Sequence, residues 1–527
     1  MSLCDSFARS VLTLTAIMSA ENSSTQEKKL AGESVYEHAI DDGSSSKFDN
    51  MDPVELKKLE KKAVRRLDIV ILPMMTMFYL LSFLDRSNIG NARVAGLQKG
   101  LGMTDKQYQI CVTILYVPYI CAELPSNLLL RKIGPRYLMP SLLTLWGLMV
   151  ALQGLVSSFA GLATVRAFLG LVEGPMFPGI VLYLSSFYTR SELAVRVAIF
   201  FSSASLSGAF SGLLAAAIIN MDGLSGRPGW AWIFILEGIF SSLMGILGFY
   251  LIPSTPQELK FMDSDMKELL IRRLARDKPS SHTNQDHFSF KEVFRSLSSP
   301  QVLIVFVIFY MEGTVLYGQA LFLPSIVNQL GFSANKTQLL SVGPFAAGFF
   351  VTLIAAVWSD RMKSRAIPTM VISLLGVAGF SIYLKSTARF TRYGSLFLTV
   401  PGVYAAVPPV SAWMSNNSEP HYRRATSIAI GFVATNAGGI TSTWLFPTKD
   451  APKYTRTIII NLTFTILIIV GSALNMFLLD YMNKQKIKRR DEILAPYNLD
   501  ADDEKGTNAA RAWVELGDRH PDFKYTL

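Results

Sequence analysis

The sequence predicts an all-α membrane protein with about twelve transmembrane helices arranged in two six-helix halves. Three observations predict it. Half of the 527 residues (50%) are hydrophobic and only 17% are charged, whereas a soluble chain of this length carries about 25% charge. Apolar stretches long enough to cross a bilayer recur along the chain, separated by short polar links. One long polar stretch, residues 253–300, divides those stretches six plus six.

A hydrocarbon core about 30 Å thick takes roughly 20 mostly apolar residues per helix. Spans one to six are expected at 67–88, 107–129, 137–156, 160–186, 194–220 and 230–252. Spans seven to twelve are expected at 301–324, 338–359, 367–385, 394–414, 425–447 and 457–481. The domain map follows: a disordered N-terminal tail at 1–66, a six-helix bundle at 67–252, a central loop at 253–300, a second bundle at 301–481 and a C-terminal tail at 482–527. Residues 21–66 are polar and Ser-rich, with too little apolar surface to fold alone. Val11 to Ile17 is apolar but too short to span.

Basic residues orient the spans. Lys57, Lys58, Lys61, Lys62, Arg65 and Arg66 precede span one, and Lys484, Lys486, Lys488, Arg489 and Arg490 follow span twelve. With Arg131, Lys132 and Arg136 after span two and Arg361, Lys363 and Arg365 after span eight, they fall on one side if the spans alternate. Both termini are therefore expected in the cytosol. Lys385, Arg389 and Arg392, before span ten, run against this pattern. The net charge of +10 is spread over these links rather than gathered in one basic domain, so the expected partner is a lipid bilayer and not nucleic acid. Cys4, Cys111 and Cys121 have no metal-ligand spacing, and no cofactor or metal is expected.

Two basic links recur at matching places in the halves. The first runs from Pro125 through Arg131 and Gly134 to Arg136, and the second reads Ser359-Asp360-Arg361-Met-Lys363-Ser-Arg365. Parallel repeats produce such a recurrence. It resembles the Gly-x-x-x-Asp-Arg-x-Gly-Arg-Arg motif of the major facilitator superfamily, whose fold this implies. The second copy keeps Asp360 and Arg361; the first has Leu130 where the motif has Asp. The resemblance assigns Arg131, Asp360 and Arg361 a gating or structural role.

Ionisable residues inside the spans carry the functional information, because each costs about 2.5–3.5 kcal/mol at a helix centre unless it faces protein or water. They concentrate in the first half: Asp85, Arg86, Glu123, Arg166, Glu173 and Glu237, against Glu312 in the second. Arg166 and Glu173 stand seven residues apart, so they share a helix face about 10 Å apart and each needs its own partner. Asp85-Arg86 at the end of span one offers both signs. Two buried guanidiniums attract a carboxylate, and a carboxylate held among them can exchange a proton. The alternative is a purely structural ion-pair network between helices.

The segments Leu84 to Ala92, Arg166 to Gly179 and Trp230 to Gly238 resemble the anion:cation symporter family of that superfamily. Pro125-Ser-Asn127, Tyr317-Gly, Leu323-Pro324, Asn416-Asn417, Arg423-Arg424-Ala425 and Asn436-Ala-Gly438-Gly439 are similar to its fungal allantoate and nicotinate permease branch. The resemblance implies that Arg86 and Arg166 contact a substrate anion, that Asp85 and Glu173 are the proton-coupling pair, and that Tyr119 and Asn436 line the substrate cavity. Glu123 stands where many relatives have Gln. Pro175 is a departure that would kink span four beside the site. Glu312 is another, and it either marks substrate choice or pairs locally with Tyr310 or Tyr317. The implied function is secondary active transport, with protons and a small organic anion as partners, across the plasma membrane, by a functional monomer. Export of a secondary metabolite or drug by antiport is the alternative, although the Gly-Pro-rich helix-five motif of antiporters is replaced by Ser202 to Gly212 without proline. No Walker loop, metal cluster or nucleophile elbow is present in the sequence, so no enzymatic activity is expected. Gly208 and Gly212 have the small-xxx-small spacing that lets helices pack closely.

Overall fold

In the computed structural model, helices cover every stretch expected to cross the bilayer. The structure describes residues 48, 51–253, 255–277, 295–296, 298–419, 421–447, 450, 453–497 and 507–527, and among them there is no β-strand. The side chains of 124–132 lie outside the described residues, and with them the expectation for Arg131. Span one is Pro53–Val94, span two the pair Asp105–Thr113 and Tyr116–Ile133, span three Pro135–Gln153 and span four the pair Phe159–Glu173 and Met176–Ser185. Spans five and six are Arg190–Ile218 and Gly229–Leu251. Spans seven, eight and nine are Pro300–Gln329, Ala334–Met362 and Ala366–Lys385. Span ten is Arg389–Tyr404 with Val407–Asn416, span eleven His421–Trp444 and span twelve Thr455–Lys488. Eight segments among the described residues are long and apolar enough to cross a membrane by themselves. Spans two, three, four and eleven are not among these eight.

Local chemistry explains the ends and breaks. Span two starts at a capping box: Gln107 N donates to Thr104 Oγ1 at 3.3 Å and Thr104 N donates to Gln107 Oε1 at 2.9 Å. Span four breaks at Gly174-Pro175, directly after Glu173, because proline has no N–H for the helical ladder. This is the kink the sequence led us to expect. Residues 53–66 correct the domain map: they are not part of a disordered tail but begin span one. Pro53 at the first helical position, Glu55 in the first turn and the following Glu, Lys and Leu residues all favour helix.

The chain divides into two compact units. One comprises Met1–Ile69, Ser185–Arg190 and Thr255–Gln285. Within it Arg66 Nη1 donates to the Phe261 carbonyl and to Asp263 Oδ2, each at 3.4 Å, at the entry to the helix Ser264–Asp277. The other comprises Val70–Leu184, Ser191–Ser254 and Asp286–Leu527 and contains nearly all of both expected halves.

Within this larger unit, glycines let backbones touch, as packing between helices in lipid requires. A Cβ built on Gly170 would lie 2.0 Å from the Leu115 carbonyl, so span four rests directly on span two. Contacts between the halves use the same device. Gly90 of span one sits against the Leu321 carbonyl of span seven, where a Cβ would come within 2.2 Å. Gly212 and Gly208 of span five pack on Gln338 and Phe345 of span eight, which is the role their spacing suggested. Thr113 and Thr443 share a 2.7 Å hydrogen bond between spans two and eleven, and Gln338 Nε2 donates to the Asn91 carbonyl at 3.2 Å. Following the alternation of the spans, these contacts all lie toward the end of the bundle farther from the two chain termini.

Candidate functional site

Arg86 is the centre of the buried polar cluster in the bundle interior. Its residue is only 5% exposed, and Nε donates to Glu173 Oε1 at 2.5 Å. Ser82, one helical turn earlier on span one, donates to the same carboxylate oxygen at 2.6 Å. Glu173 Oε2 is buried with no hydrogen-bond partner among the described residues. The break after Glu173 ends the helix just where this carboxylate reaches span one. Spans one and four are thus joined by one buried ion pair.

Aromatic rings enclose the guanidinium. It lies 4.6 Å from the ring centroid of Tyr119 and 5.2 Å from that of Phe83, distances at which the ring quadrupole attracts a cation. From the second half, Tyr317 accepts a 2.8 Å hydrogen bond from Arg86 Nη1. The Tyr317 hydroxyl in turn donates to Asn436 Oδ1 at 3.2 Å. A continuous chain therefore runs from Glu173 through Arg86 and Tyr317 to Asn436 and crosses from one half to the other. Phe177 and Phe432 meet at 4.1 Å between ring centroids and contribute to closing this region.

The other expected residues are placed differently. Asp85 points away from Arg86 toward spans three and six, where Trp146 Nε1 and Ser241 Oγ donate to its Oδ2 at 2.7 and 3.3 Å. Arg166 is 1% exposed and spends its fork inside the first half, on the Cys111 carbonyl at 2.7 Å and on Gln153 Oε1 at 3.2 Å. Neither Asp85 nor Arg166 supplies the other's counter-charge through a direct bond among those described. Glu123 is buried one turn beyond Tyr119. Glu237 is buried too, and its two oxygens have no hydrogen-bond partner among the described residues. Glu312 is in the same condition. Tyr310 bonds Thr441 and Tyr317 bonds Arg86 and Asn436, so neither tyrosine partners Glu312. Asp360, in the last turn of span eight, accepts from Arg365 Nη1 at 2.5 Å, while Arg361 is exposed.

Tyr317 is the residue whose role sequence reasoning missed. It was visible as Tyr317-Gly318 in the middle of an apolar span, where a hydroxyl needs a partner, but its partner is 231 positions away.

The fold and the site can now be compared with known proteins. A family model described as Major Facilitator Superfamily matches residues 75–443. The chain belongs to the major facilitator superfamily. Among its relatives in this superfamily, an uncharacterized transporter of Schizosaccharomyces pombe is 33% identical over 512 residues, covering 96% of this chain and 98% of that one. The high-affinity nicotinic acid transporter of Saccharomyces cerevisiae is 31% identical over 472 residues, covering 89% of this chain and 85% of that one. A bacterial homologue of the human lysosomal transporter Spinster, solved inward-facing and unoccupied, superposes with a TM-score of 0.61 at 13% identity, covering 77% of this chain and 96% of that one. The xylose transporter XylE of E. coli, in a partially occluded inward-open state, gives a TM-score of 0.58 at 15% identity, over 76% and 96% of the two chains. The two solved structures share the major facilitator fold with this chain. The chain is thus a multi-pass membrane protein and a secondary transporter of the major facilitator type.

Proposed function

We propose that this transporter takes up a small organic anion, a vitamin-like or nitrogen-containing carboxylate, together with protons. It works as a monomer in the plasma membrane with both termini in the cytosol. One observation carries the reading: Glu173 holds the buried guanidinium of Arg86 through one oxygen while its other oxygen is buried without a hydrogen-bond partner among the described residues. A proton arriving on Glu173 neutralises the carboxylate and weakens its hold on Arg86. The guanidinium, still buried, then needs a new anion, and a substrate carboxylate satisfies it in bidentate fashion. Arg86 also reaches Tyr317 of the second half, so loading the anion competes with a bond that ties the halves together. Proton, anion and movement of the halves are coupled at one residue. The resemblance to the high-affinity nicotinic acid transporter supports a carboxylate as substrate class, and the Lys and Arg pattern supports the orientation.

Transport in proteoliposomes, with labelled nicotinate as the first probe and a panel of small carboxylates after it, tests this. Acid outside should drive accumulation by the wild-type protein. Glu173→Gln should keep substrate exchange across the membrane and lose accumulation driven by the pH gradient. Full gradient-driven accumulation by Glu173→Gln would overturn the coupling role. Flux of the substrate against the proton flow would favour an exporter instead.

A further inference from the structure

A second buried polar cluster lies at the terminus-side end of the second half, away from Arg86. It is built by residues 517–527, which fold back onto the bundle. Asp518, 3% exposed, forms an ion pair with Arg423, 2% exposed, at the start of span eleven. Lys486 of span twelve donates to the carbonyls of Asp518 and Phe523, and its ammonium lies 3.9 Å from the Tyr525 ring centroid. Two asparagines read the tail backbone. Asn483 accepts from Tyr525 N at 2.9 Å and donates to its carbonyl at 3.1 Å. Asn417 does the same with Thr526, at 2.7 and 2.9 Å. The Tyr525 ring is buried against Ala366, Trp413 and Leu479. At the end of the chain, Arg365 N donates to a Leu527 oxygen at 2.6 Å, beside the Asp360–Arg365 pair.

The location gives this docking a consequence. Spans eight and eleven meet the first half at the far end of the bundle, through Phe345 on Gly208 and Thr443 on Thr113. A transporter whose halves rock about a central site opens one end as it closes the other. The terminus-side ends of spans eight and eleven must therefore approach the first half when the far end opens. The tail is fixed to the terminus-side end of the second half, on Arg365 just after span eight, Asn417 at the end of span ten, Arg423 at the start of span eleven, and Asn483 and Lys486 of span twelve.

We propose that residues 517–527 are an intramolecular clamp that holds the transporter open on its terminus side, and that undocking the tail allows that side to close. The clamp can only bias the equilibrium by binding the two states differently. Its partners on the second half are present in both states, so the difference arises from tail volume and charge at the surface that has to close. The proposal draws on the rocking of the halves and is independent of which anion or ion is carried.

The test is a distance measurement between the halves in the full-length protein, in lipid nanodiscs without substrate. Spin labels go on Tyr137→Cys in the first half and Met362→Cys in the second, both on exposed positions, with Cys4, Cys111 and Cys121 replaced by Ser. The intact tail should give mainly the long distance. Asp518→Asn combined with Tyr525→Ala should shift the ratio of open to closed about tenfold toward the short distance. A synthetic peptide of residues 507–527 added to that variant should restore the long distance. If the double variant does not fold, Asp522→Lys, a charge reversal at the exposed ion pair with Arg490, should give a smaller shift in the same direction. An unchanged distribution in every folded variant, or a shift to longer distances, overturns the proposal.

Discussion

The two halves of the bundle have the same architecture but use buried charge differently. In the first half, Asp85, Arg86, Glu123, Arg166, Glu173 and Glu237 are all buried within the membrane spans. In the second half, Glu312 is the comparable case, and the densest buried ionic cluster lies at the helix ends, where Arg423, Asp518 and Lys486 meet. An ionisable group at mid-membrane is costly unless it faces protein or a water-filled cavity. A charge at a helix end can reach water when released, which suits a contact that forms and breaks without rebuilding the core. On the function proposed above, the exchange of ions belongs to the first half. That leaves the second half to complete the site with neutral hydroxyl and amide groups and to carry the tail.

Breaking the comparison at its centre should have the largest effect. Arg86→Lys keeps the charge but cannot hold Glu173 and Tyr317 together, and truncating one partner of a buried charged pair costs about 2–5 kcal/mol. Initial uptake, normalised to protein in the membrane, should fall about a hundredfold or more. Uptake near the wild-type rate would remove Arg86 from the substrate set. Uncoupling by Glu173→Gln comes next, because it spares exchange and removes only the gradient-driven component. Arg166→Lys should cost less, about tenfold in uptake, since the fork it replaces bonds the Cys111 carbonyl and Gln153 inside the first half. A thermal-shift assay should show a loss of stability alongside the loss in uptake. If stability is intact and only affinity suffers, Arg166 touches the anion as the family resemblance implies. Glu312→Gln should have the smallest effect, changing turnover by no more than about threefold because no partner in the described residues depends on its charge. Its KM values for different carboxylates should nevertheless change relative to one another. Constant KM ratios across the panel would remove Glu312 from the specificity residues.

Much of the fold was legible because lipid imposes a simple rule on each segment separately. Twenty apolar residues in a row mean a helix whatever the rest of the chain does, and Pro175 breaks its helix for a reason contained in its own ring. The small-xxx-small spacing of Gly208 and Gly212 likewise marked a close helix contact, although not with which helix. The site was legible only as a set of residue types. Arg86, Glu173, Tyr119 and Asn436 are brought into one chain of contacts, whereas Asp85 faces Trp146 and Ser241 instead. Asp85 and Arg86 are adjacent in sequence, and a helix turns neighbouring side chains about 100° apart, so adjacency sends them to different neighbours. The start of span one was misread because the charged residues from Lys57 to Arg66 look like a solvated tail, yet they are good helix formers joined to an apolar helix.

By itself, then, the sequence determined the helical class, the repeat of six spans and six, and the concentration of membrane-buried charge in the first half. Each of these follows from composition within a window of about twenty residues, the length that the bilayer thickness imposes. Tertiary structure alone decided that Glu173 belongs to Arg86, that Tyr317 carries the contact across to Asn436, and that Asp518 and Tyr525 return to the ends of spans eleven and twelve. Hydrogen bonds and ion pairs are short-ranged and directional, so which partner a buried polar group finds depends on where distant helices bring their side chains, and that is not written in any local pattern.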